Sequence, residues 1–76
     1  MKSILQFAIS QEDGGYIAEG IDVAIVTQAD TLDELAENIR EAVALHFDGE
    51  DLASLGYVRE PSLLMNVELP RTLQHA

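Results

Sequence analysis

One helix constrains this chain more than any other feature in it. Thr31-Leu32-Asp33-Glu34 is a capping box. The Thr31 hydroxyl is placed to accept from the Glu34 amide, and the Glu34 carboxylate to reach back. Asp33 and Glu34 lie in the first turn, where negative charge suits the helix dipole. Apolar residues then recur at Leu32, Leu35, Ala36, Ile39, Ala42, Val43 and Phe47. Steps of three and four put them on one face. Glu37, Asn38, Arg40 and Glu41 take the other side, and Asp48-Gly49 supplies a left-handed stop. The reading is a helix of about sixteen residues, roughly 24 Å long. A helix with one apolar face needs something flat to bury it.

The flanking segments supply a sheet. From Ile4 to Ser10 the chain alternates, with Leu5, Phe7 and Ile9 on one side and Gln6, Ala8 and Ser10 on the other. Gln11-Glu12-Asp13-Gly14-Gly15 reads as a hairpin turn with a bulge, its glycines supplying positive φ. Tyr16 to Ile21 returns as a second strand, with Gly20 marking a bend or a close backbone approach. After Asp22-Val23, residues Ala24 to Gln28 form a third. Beyond the helix, Glu50 to Pro61 reads as a packed loop or short helical turn. Ser62 to Leu69 alternates again as a fourth strand, ended by Pro70.

The order β-β-β-α-β makes an α+β fold, an antiparallel meander with one helix on one face. The link through the helix is a crossover, so the fourth strand returns parallel to a neighbour. Beside the first strand it gives the spatial order 3-2-1-4, which leaves strand three as an open edge. With 76 residues the chain is a single domain, with a core over about 3–70 and a frayed tail at 71–76.

Charge excludes several functions. Four bases against fourteen acids leave −10. Direct nucleic-acid binding is not expected, because neutralising phosphates needs Lys and Arg. Nor is a basic-patch membrane contact. No apolar run approaches a membrane span and the N-terminus lacks a signal-peptide pattern, so a cytoplasmic location is the default. The charge is regional. Residues 12–51 hold twelve acids and one base, Arg40, or −11; the remainder is +1. A directed field can steer a basic partner, and plain solvation is the alternative.

Catalytic chemistry is scarce. There is no cysteine, and two histidines with no Ser-His-acid order do not make a nucleophilic site. The chain reads as a non-enzyme. His46 falls near the apolar stripe, as a pH switch or, more simply, a packed histidine. His46, Asp48, Glu50 and Asp51 cluster, but their spacing does not fit an EF-hand, and a solvated helix end explains them. No metal or cofactor is expected.

Two stretches resemble the HicB-like antitoxin family. One is the hairpin Glu12-Asp13-Gly14-Gly15-Tyr16-Ile17-Ala18-Glu19. The other is Thr27-Gln28-Ala29-Asp30-Thr31-Leu32-Asp33-Glu34-Leu35, followed by Asn38, Glu41-Ala42 and Val43. The similarity covers residues 4 to 48. The chain departs from the family at Ala24-Ile25-Val26, where Pro-Gly-Cys is usual, and at Ala29, where glycine is usual. Longer family members add a DNA-binding domain. These 76 residues contain none, so operator binding is not carried over.

The resemblance implies a partial ribonuclease H-like domain without catalytic acids, which neutralises a HicA-type toxin. Such a toxin is a small basic ribonuclease, and an acidic surface can mask its RNA-binding face. Asp13, Glu19, Glu37 and Glu41 are the expected partner-binding residues. The alternative is a self-associating structural or regulatory module, a homodimer paired through the open third strand.

Overall fold

A computed structural model describes residues 1–69. Its elements are β1 (Lys2–Glu12), β2 (Gly15–Gly20), β3 (Val26–Ala29), α1 (Leu32–His46), a 3₁₀ turn (Leu52–Leu55) and β4 (Tyr57–Val67). The sheet order is β3-β2-β1-β4. β1 is antiparallel to β2 and parallel to β4, so the expected α+β topology and strand order hold.

The hairpin turn is tighter than expected. Glu12 pairs with Gly15, which leaves a two-residue loop of Asp13 and Gly14, with φ +49° and +79°. Positive φ at both central positions is the Asp-Gly geometry that matches strand twist, and no bulge is needed. Gly15 has a different reason for being glycine: a Cβ there would sit 3.1 Å from the Ala29 carbonyl.

The helix begins at the expected cap, without the return bond to the Glu34 carboxylate. Thr31 Oγ1 accepts from the Glu34 amide at 3.1 Å. It ends at His46, where the Phe47 N–H still reaches the Val43 carbonyl at 3.1 Å, and Gly49 at φ +77° turns the chain. Its face buries Leu35 and Ile39 against Leu5, Phe7 and Ile9 of β1, Ala18 of β2, Ile25 and Tyr57. Phe7, Leu5 and Leu35 are 0% exposed. The helix sits mainly over β2 and β3 rather than over the middle of the sheet.

The segment 50–61 resolves into two parts. Asp51 caps the 3₁₀ turn by accepting from the Ala53 amide at 3.1 Å, and Gly56 closes it at φ +89°. β4 then starts at Tyr57, five residues before the expected Ser62. Lys2 pairs with Tyr57 and Ile4 with Ser62, so Val58 to Pro61 bulge out of register. The Asn66 side chain donates to the Phe7 carbonyl at 3.2 Å and fastens β4 to β1. The expected strand stop at Pro70 and the tail at 71–76 lie outside the described residues.

Candidate functional site

The β1–β2 turn and the β3–α1 junction come together because of register. Tyr16 pairs with Ala29 and Ile17 with Gln28. This sets Glu12 and Asp13 beside Asp30 and the first turns of α1. Asn38 ties the helix down, donating from Nδ2 to the Gln28 carbonyl at 2.9 Å. Between these elements lies an open cleft of about 430 Å³ that includes Glu12, Asp13, Tyr16, Asp30, Glu34 and Asn38 in its lining. None of the lining residues is basic. Four carboxylates around one solvent-filled cleft repel weakly in water, by under ~1 kcal/mol per pair. An incoming cation reverses the sign of that interaction.

The four expected binding residues do not share this cleft. Asp13 lines it. Glu37 and Glu41 are exposed on α1, and Glu37 forms an ion pair with Arg40, the one base of residues 12–51. Glu19 pairs in register with Ala8 and Val26, which places it on the sheet face away from the helix. Glu12, Asp30 and Glu34 are the cleft carboxylates that sequence reasoning did not single out for binding. Glu34 is visible in the capping box and Asp30 just before it, but only the β2–β3 register brings them opposite the hairpin turn.

His46 is exposed, edge-on to Phe47 with ring centroids 4.9 Å apart, and not on the buried stripe. Among the described residues no group of three or more His, Cys, Asp or Glu side chains is arranged to hold a metal. Among the described residues no helix is long and apolar enough to cross a membrane.

Fold and cleft together define a small α+β domain with a four-stranded mixed sheet, one off-centre helix and an acidic cleft at one end. The chain belongs to the UPF0150 family. It is 49% identical over 47 residues to a UPF0150 protein of Thermotoga maritima, a match covering 62% of this chain and 67% of that one. It is 40% identical over 42 residues to a UPF0150 protein of Archaeoglobus fulgidus, covering 55% and 64%. The chain thus spans about two thirds of the length of these relatives. No family model matches it. No solved structure matches it either.

Proposed function

We propose that this UPF0150 chain is a non-catalytic, antitoxin-like protein that binds a small basic ribonuclease of the HicA type and masks its RNA-binding face. The observation that carries the reading is the cleft where Glu12, Asp13, Asp30 and Glu34 converge without a basic neighbour in its lining. An Arg or Lys that would otherwise grip RNA phosphates finds carboxylates there instead. Arg suits it best, because its planar fork can engage two carboxylate oxygens at once.

The proposed contact surface runs from the hairpin turn through the cleft and along the exposed side of α1 to Glu37 and Glu41. Glu19, on the opposite sheet face, lies outside it. Charge of this kind chiefly raises the association rate and sets orientation. The complex would form in the cytoplasm, where a ribonuclease toxin acts.

Co-expression with a small basic ribonuclease of the HicA type tests the reading. The expected result is a complex that co-purifies and relief of the growth arrest caused by the basic chain alone. No complex together with no relief refutes it. Within a complex, Asp30→Lys with Glu34→Lys should slow association at least tenfold and flatten its salt dependence. Glu19→Lys should leave the rate nearly unchanged.

A further inference from the structure

The sheet has two edges, and they are built differently. β3 is four residues long and lies between Asp22 and Asp30. A short edge between charges is protected against further pairing. β4 runs for eleven residues and has no neighbour beyond it among the described residues. Its first half carries three edge guards: the charges Arg59 and Glu60, Pro61, and the register shift opposite Lys2 and Ile4. Its second half, Ser62-Leu63-Leu64-Met65-Asn66-Val67, carries none of them. Six uncharged residues free of Pro and Gly on an open edge form a pairing template.

The two faces beside this edge are also open. On the helix side, α1 leans toward β3 and leaves a largely apolar groove lined by Ala36, Ile39, Pro61, Leu63 and Met65, together with Arg40 and Ser62. On the helix-free side, Leu64 is 44% exposed and Ile4 is 45% exposed. The charge map says which occupant fits. The unguarded half of β4 lies outside residues 12–51, which carry −11, so two chains can meet there with those segments apart, and the like charges brought together are Glu60 of each copy and Glu68 of the other, at the ends of the paired stretch. At β3 the same approach would bring the two −11 segments themselves together, with Asp30 at the edge and Asp22 held by Lys2 at 3.8 Å.

We propose that Ser62–Val67 is the self-association edge of this protein, pairing antiparallel with the same segment of a second copy. The two-fold axis passes at Leu64, with Leu63 opposite Met65 of the second copy and Ser62 opposite its Asn66. Two four-stranded sheets become one of eight. Both helices stay on the same face, and Leu63 and Met65 from each copy fill the space between them. The acidic clefts sit toward the far ends, beside β3, and stay accessible.

The chain has no cysteine, which makes the test direct. Paired Cα atoms in antiparallel strands lie about 4.5–5.5 Å apart, within the reach of a disulfide. Leu64→Cys, at the axis, should form a covalent dimer under mild oxidation. Gln28→Cys, on the β3 edge, should not. Sedimentation of the wild-type chain should show twice the 8.3 kDa chain mass. Leu64→Lys should give the monomer with an unchanged circular dichroism spectrum. A wild-type monomer up to millimolar concentration overturns the proposal. So does a covalent dimer from Gln28→Cys with none from Leu64→Cys, or a Leu64→Lys chain that remains dimeric. If Leu64→Lys fails to fold, the cysteine pair decides the question.

Discussion

Gly20 gives the sharpest stability prediction. A Cβ built there would lie 2.2 Å from the Val23 carbonyl oxygen and 2.8 Å from a Val23 methyl. The first distance is about 1 Å inside ordinary contact between carbon and oxygen. The loop cannot simply withdraw. The Gly20 amide donates to the Ile25 carbonyl at 2.8 Å, the Ile21 amide to Gln6 at 2.9 Å, and the Ile25 amide to Val23 at 2.9 Å. Ile25 is itself in the core.

Gly20→Ala must therefore overpack the bend, at about 1–3 kcal/mol, and weaken one or two of these bonds at about 1 kcal/mol each. Reduced unfolded-state entropy returns at most ~1 kcal/mol. The net is about 2–4 kcal/mol, out of a total of roughly 4–11 kcal/mol for a chain of this size. With a urea slope near 1 kcal/mol/M, the midpoint should fall by about 2–4 M at constant slope. Gly14→Ala is the control: φ is +79° but nothing lies within 4 Å, so only the left-handed backbone opposes it, at about 1–2 kcal/mol. A Gly20→Ala midpoint at or above that of Gly14→Ala would show that the loop yields freely and that the reasoning is wrong.

Other expectations are simpler. Thr31→Ala should cost about 1 kcal/mol through the lost cap, a fall of roughly 4–8 °C in Tm by calorimetry, while Thr31→Ser should be close to neutral. Phe7→Ala, at a fully buried position, should cost about 3–5 kcal/mol and leave little or no folded protein, visible as lost circular dichroism at 37 °C. Arg40→Ala should change stability by less than ~0.5 kcal/mol in urea titrations, because the Glu37–Arg40 pair is 69% and 61% exposed. A larger loss would mean that the Arg40 stem holds the groove beside β4.

The elements visible in the sequence were those written by neighbouring residues. The alternation of Leu5, Phe7 and Ile9 and the Thr31–Glu34 cap each depend on a few adjacent positions, and both hold. β4 reads as a strand only from Ser62 because Tyr57-Val58-Arg59-Glu60-Pro61 has no alternation. Its strand character comes from pairing with Lys2, more than fifty residues away. Helical spacing puts His46 near the stripe, yet the helix ends there and the side chain is exposed. The acidic segment was plain from counting, but the cleft was not. Its members come from two turns that meet only through the Tyr16–Ala29 register.

The parallel pairing of β1 with β4 also has a consequence in time. Phe7 and Asn66 are joined by a hydrogen bond across 59 residues. At about 5–20 residues per second, that separation takes roughly 3–12 s to synthesise. Throughout that interval β1 can gain the hairpin on one side and the helix above, while its other edge has no strand to receive it. The growing chain thus presents the sheet's central strand as an open edge before β4 exists to cover it. Closure of the sheet waits for β4, and until β4 arrives the edge that the sheet offers to any partner is β1 itself.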